Sequence, residues 1–172
     1  MTAFGDGIDP AVLRRTMGRF ATGVAVVTTM VDGVAFGMTV NSLTSVSLTP
    51  PLLLVSLAEH ARTTESVQEA GRFAISVVAA RQEQIARRFA RQGEDHFDGL
   101  PLEYGTHKVP VVPDALAHLE CATEREIPAG DHVLFLAAVV ASCEREGDPL
   151  TFYSGQFGEF AAGDYARIDW FF

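Results

Sequence analysis

The chain has 172 residues, which suits a single domain over 1–172 with a core of its own and leaves too little for two. Hydrophobic residues make up 48% of it and charged residues 20%, with no low-complexity tract, which excludes a disordered polar chain. A formal net charge of −9 opposes the cationic face that phosphate backbones and anionic membrane surfaces require, so neither nucleic acid nor membrane is an expected partner.

The only cysteines are Cys121 and Cys143, and no close-spaced Cys/His cluster surrounds them, so neither a disulfide framework nor a metal site is expected. The first ten residues carry Asp6 and Asp9 and lack the basic start and apolar stretch of an export signal. No apolar run approaches membrane-spanning length, and the cytoplasm is the expected compartment.

Asp9 before Pro10 supplies a helix N-cap and a first-turn proline, and Leu13, Met17 and Phe20 recur at helical spacing, which predicts a helix over 10–19. Gly23 opens a β-rich run, 24–31, closed by Asp32-Gly33, a hairpin dipeptide, with a return strand over 34–40. Pro50-Pro51 marks the entry to a strand over 52–57, and a helix over 63–70 follows, stopped by Gly71. A strand over 72–78, a polar-faced helix over 81–91 and a broken, mostly loop stretch over 93–114 come next.

Residues 116–123 alternate, with Ala117, Leu119 and Cys121 on one face and His118 and Glu120 on the other, which predicts a half-buried antiparallel strand. The run 133–141 is apolar without alternation, which predicts a strand covered on both sides, a subunit interface providing the second cover. Six or seven antiparallel strands with a few peripheral helices and no internal repeat predict a mainly β fold, a barrel closed because closure removes exposed edges.

The stretch Gly37-Met38-Thr39-Val40-Asn41-Ser42-Leu43-Thr44-Ser45-Val46-Ser47 sets hydroxyls and an amide between two apolar strands. A fused heteroaromatic ring needs fixed donors and acceptors along one edge, and Thr39, Asn41, Ser42 and Ser45 are candidates for that work. The alternative is that they bond to nearby backbone, as these residue types commonly do in turns. His60, Arg62 and Thr63 lie where a strand gives way to a helix, a place whose free N–H groups bind phosphate; the alternative for Arg62 is a solvated surface arginine. His132, in Gly130-Asp131-His132, stands at a strand entrance, facing either a cleft or its own backbone. No G-x-G-x-x-G, P-loop, H-E-x-x-H or G-x-S-x-G occurs, which disfavours a Rossmann-type nicotinamide site.

Taken in order, Gly18-Arg19-Phe20-Ala21-Thr22-Gly23-Val24, Gly37-Met38-Thr39-Val40-Asn41-Ser42, Ser45-Val46-Ser47-Leu48-Thr49-Pro50-Pro51-Leu52, Gly130-Asp131-His132 and Asp148-Pro149-Leu150 resemble the flavin reductase-like family. These are FMN-binding split barrels that serve as reductase components of two-component flavin-dependent monooxygenases. The resemblance implies a homodimeric split barrel that binds FMN or FAD at the dimer interface, takes NADH or NADPH against the flavin, and releases reduced flavin to a separate monooxygenase. It implies that Gly37, Met38, Thr39, Val40, Asn41, Ser42, Ser45 and Ser56 hold the ring and ribityl chain, and that His60, Arg62 and Thr63 meet the phosphate. Phe89 then lines the tail's path, Phe157 lies by the nicotinamide where relatives often carry a tyrosine, and His132 is the catalytic position beside the donor. His96 stands in place of a common basic residue before Phe97. Two other readings compete: a flavoprotein of the same fold with tightly bound FMN acting on another substrate, and a non-catalytic flavin-binding dimer.

Overall fold

The computed structural model describes residues 7–93, 95–101 and 103–160. The apolar C-terminal run 168–172, expected to dock on the barrel or on a partner subunit, lies outside them.

Helix α1, Pro10–Met17, starts where the sequence places it, with the Asp9 carboxylate accepting the Ala11 N–H at 2.8 Å. It ends at Gly18, two residues short of the expected bound, and none of its residues is buried. After the short β1, Thr22–Gly23, come β2, Ala25–Val31, and β3, Val34–Val40, joined by Asp32 and Gly33 with φ of 48° and 80°. Positive φ at both central residues matches strand twist, which is why this dipeptide makes the hairpin. An edge strand follows, β4, Thr44–Leu48, and then β5, Pro51–Ala58, whose first residue is the second proline.

Helix α2, Arg62–Ala70, ends at Gly71 in the left-handed conformation, φ 63°. Beyond β6, Arg72–Val77, the expected single helix divides into a 3₁₀ turn, Ala80–Gln82, and α3, Glu83–Phe89. Gln82 makes the break: its side-chain oxygen accepts the Ala79 N–H and its amide donates to the Pro113 carbonyl. The stretch read as loop holds two short strands, β7, Glu103–Tyr104, and β8, Pro110–Val111. Two long strands, β9, Ala117–Ala129, and β10, His132–Glu144, form a hairpin, and β11, Leu150–Tyr153, with β12, Gln156–Glu159, complete the described chain.

Seven strands form one antiparallel sheet in the order β3-β2-β6-β9-β10-β5-β4. Its two edges, β3 and β4, are consecutive in the chain and joined by residues 41–43 alone. Four Cα steps reach no more than roughly 14 Å, so the sheet curls until its edges are neighbours. They do not pair, and the result is a barrel split along one seam.

Val27, Val55, Leu57, Phe73, Ile75 and Phe135 fill the interior, with Val67 of α2 packed among them. A second core outside the barrel joins Val24, Val26 and Val78 to Ala86 and Phe89 of α3 and to Leu150. Cys121 is buried in the first core, where burial pushes its thiol up to about 12 and leaves it neutral.

The half-buried reading of 116–123 is corrected: Leu119 and Cys121 face the barrel core, but His118 and Glu120 on the other face are buried too. The segment around β7 and β8 lies over them. Strand β10 alternates in burial after all, with Val133, Phe135 and Ala137 inside and Leu134, Leu136 and Ala138 half-buried outside. The sequence does not alternate because both faces are apolar.

Candidate functional site

The seam between β3 and β4 carries Asn41, Ser42 and Ser45. Ser42 Oγ donates to the Ser56 carbonyl at 2.7 Å and accepts the Ser56 N–H at 3.3 Å, which ties the seam to β5. Asn41 and Ser45 are exposed and make no hydrogen bond among the described residues. They are polar side chains held on an edge with their bonding capacity unspent.

At the end of β5 the chain turns into α2. Ala61 at the N-cap brings no side-chain bond, so the N–H groups of Arg62 and Thr63, first in the helix, have no acceptor within it. The Arg62 guanidinium lies 5.4 Å from the centroid of Phe36, and the Arg62 side chain is exposed. Thr63 is buried. His60 is exposed, with Nε2 3.9 Å from Glu59 Oε2.

His132 begins β10 directly across from Ala58, two residues from both Ser56 and His60. The Glu59 N–H donates to the Asp131 carbonyl at 3.0 Å and closes this end of the sheet. His132 Nδ1 lies 2.7 Å from Asp131 Oδ1. A carboxylate only accepts, so Nδ1 carries the proton and Nε2 is the nitrogen left for a ligand. The bond from His132, then the residue's own backbone N–H, holds the exposed Asp131 carboxyl below the usual range. Alternation along β5 and β10 puts Ser56 and His132 on the outer face of the barrel, in line with Leu54, Leu134 and Leu136.

Gly37, Thr39, Phe89 and Phe157 belong to the side covered by α3. Thr39 Oγ1 donates to the Ala86 carbonyl at 2.7 Å, a backbone bond to α3 rather than the bond within a turn that the sequence alternative supposes. Phe89 is buried against Gly37, and Phe157 packs on Phe152 at 5.5 Å with the Arg87 guanidinium 5.1 Å from its centroid. Met38 and Val40 pack toward the barrel core. Successive residues of β3 face opposite sides, so Phe36 under Arg62 and Gly37 under Phe89 are on opposite faces of one strand.

The structure therefore gathers Ser42, Ser56, His60, Arg62 and His132 at the end of β5 and sets Asn41 and Ser45 on the seam beside them. It leaves Thr39, Phe89 and Phe157 in a second group under α3. The sequence reading gave no role to Phe36, whose contact with Arg62 needs the curled sheet. Among the described residues no group of His, Cys, Asp and Glu is placed to hold a metal ion.

Residues 17–161 match the flavin reductase like domain. The chain is 43% identical over 148 residues to the FMN reductase (NADH) SmoA of Agrobacterium fabrum, covering 86% of this chain and 84% of that one. It is 36% identical over 153 residues, 89% of this chain and 82% of the other, to the reductase component of a 4-nitrophenol 4-monooxygenase/4-nitrocatechol 2-monooxygenase of Rhodococcus opacus. Among solved structures, the NADH:FAD oxidoreductase SgcE6 of Streptomyces globisporus, in complex with NAD and FAD fragments, superposes with a TM-score of 0.86 at 38% identity, covering 94% of this chain and 100% of that one. The fold is that of the solved flavin reductases. The chain belongs to the flavin reductase-like family.

Proposed function

We propose that this protein is an NAD(P)H:flavin oxidoreductase, one domain that reduces FMN or FAD with NADH or NADPH and passes the reduced flavin to a separate monooxygenase. The observation that carries the reading is the meeting, at one end of the β5–β10 pair, of a helix start with an adjacent arginine, a polar seam and a histidine with one free nitrogen. Flavin and nicotinamide supply the chemistry when bound, a hydride passing from one ring to the other. What the chain supplies is binding and orientation.

Asn41 and Ser45 offer unspent donors and acceptors to the ring edge. Ser42, whose proton already goes to the Ser56 carbonyl, offers only acceptor capacity there, and Thr39 is held under α3 by its bond to the Ala86 carbonyl. Arg62 and the first N–H groups of α2 suit a phosphate, where the helix dipole adds to the arginine charge. His132, whose Nδ1–H is taken up by Asp131, keeps Nε2 for the ligand and so orients the donor without abstracting a proton. Gly37, Met38 and Val40 shape the strand through their backbone, while Phe89 and Phe157 support it from the α3 side.

The working form is a homodimer. Leu52, Leu54, Leu134, Leu136 and Ala138 form a continuous half-buried outer face, and Ser56 and His132 sit on the same face, so a second copy seated there borders the site. The protein acts in the cytoplasm; no described helix is long and apolar enough to cross a membrane.

The test is nicotinamide oxidation by the purified protein with each flavin and each nicotinamide. Flavin-dependent oxidation is expected, and His132→Ala should lower kcat/KM for the nicotinamide by about a hundredfold, the cost of losing donor orientation, with flavin affinity kept. Oxidation no faster than in buffer for every pairing would end the proposal.

A further inference from the structure

The segment after α3 runs back to β3, and one side chain holds it there. His96 Nδ1 lies 2.8 Å from the Gly37 carbonyl oxygen and Nε2 lies 2.7 Å from the Arg91 carbonyl oxygen. Its ring packs on Phe89 at 5.3 Å between centroids, and Phe89 is the side chain pressed on Gly37. Both partners are carbonyls, which only accept, so a neutral ring donates to one of them and a ring with both nitrogens protonated donates to both. The bond at one end ties His96 to the turn closing α3, and the bond at the other ties that turn to the strand leading into the seam. Thr39, two residues along, bonds β3 to α3 itself.

We infer that His96 is a positioning residue for the flavin site, whose ring, in contact with a carbonyl at each nitrogen, clamps the stretch around it onto Gly37 and so fixes the strand from which Asn41 and Ser42 emerge. It touches neither reacting ring. Its effect is preorganisation: a seam held in its binding geometry loses less freedom when a ligand arrives, and that difference is read in affinity rather than in the chemical step. An arginine or lysine at the position also donates without accepting, so a basic residue there performs the same task.

The inference rests on the flavin-reductase reading, and the experiment separates the two. Wild type, His96→Ala, His96→Gln, His96→Arg and His96→Lys are compared by flavin KM and kcat and by amide hydrogen exchange over 36–42 and 91–98. His96→Ala is expected to raise flavin KM about tenfold, the worth of a strong hydrogen bond, with kcat changed less than about twofold and exchange faster in both stretches. Glutamine, with its donors at one end, should fall between. Arginine or lysine should bring KM and exchange back toward wild type.

The clamp is overturned if His96→Ala keeps wild-type KM and wild-type exchange. It is equally overturned if neither basic variant restores what alanine loses, since the donors would then not be the cause. If wild type fails to oxidise nicotinamide while the exchange pattern follows the expected series, the flavin reading fails and the clamp stands as a structural fact.

Discussion

At Gly37 the strand gives up a side chain so that the ring of Phe89 can lie against its backbone. A Cβ there would fall 2.7 and 2.9 Å from Phe89 Cε1 and Cδ1 and 3.1 Å from the Val27 carbonyl oxygen. The ring has little room to retreat, because Phe97 packs edge-on to it at 5.0 Å and His96 meets its other flank. Gly37→Ala is therefore expected to destabilise the fold by about 1–3 kcal/mol, the usual cost of overpacking, measured by urea unfolding. Phe89→Leu in the same chain should recover part of that loss, a non-additivity that a double-mutant cycle reads. A Gly37→Ala protein as stable as wild type would show that the contact is not tight. Little of this is legible in the sequence, which marks Gly37 only as the head of a polar run. The same holds for Thr39, Asn41, Ser42 and Ser45: one residue class, yet two hydroxyls spent on backbone and two side chains free. What separates them is tertiary, since α3 and β5 come within reach of Thr39 and Ser42 and nothing described reaches Asn41 or Ser45.

Elements show a different boundary between the legible and the hidden. The alternation over 116–123 correctly assigns faces, because a two-residue period is a property of the strand itself. It is silent on what covers the second face, which here is the strap 103–112 arriving from outside. Polar side chains hold that strap: Glu120 accepts the Thr106 and His107 N–H groups at 2.6 and 2.7 Å, and Ser76 Oγ accepts the Val112 N–H at 3.0 Å. The Ser76 hydroxyl also lies 3.1 Å from His118 Nδ1, and a neutral His118 with that nitrogen unprotonated accepts the serine proton. Burial, then the charge of Arg145, pulls the His118 pKa below its ordinary 6.5. The unfolded chain therefore takes up the proton first as pH falls. Stability from this group is complete above 6.5 and is lost as pH drops from there toward the folded value. Unfolding midpoints for wild type should decline below that point more steeply than those of His118→Gln, which cannot titrate. Parallel declines in the two proteins would remove His118 from the acid response.

At the scale of the whole molecule, the described residues of one copy leave two apolar regions partly exposed. Leu52, Leu54, Leu134, Leu136 and Ala138 form one outer face, and Ile127, 38% exposed, extends it across from Leu134. A second region is α1, eight residues long with Leu13 and Met17 about half exposed and Phe20 at 69% just beyond. A helix so short does not hold in water on propensity alone and draws its stability from packing. The run 133–141 is unbroken because both faces of β10 are apolar, and that much is legible in the sequence. The curl that brings β3 and β4 together is not, because it is a property of seven pairings rather than of any one segment. If the outer face joins two copies, Leu136→Asp places an unpaired carboxylate at its centre and should split the dimer, since a charge buried without a partner costs several kcal/mol. Sedimentation should give wild type at twice the 18.5 kDa chain mass and Leu136→Asp near the single mass. Ser56 and His132 share that face, so the monomeric variant should also bind flavin and nicotinamide more weakly while keeping its secondary structure by circular dichroism. A wild-type protein that sediments as a monomer and still turns over flavin would detach the site from the interface and require that some other surface of the same chain cover Leu134 and Leu136.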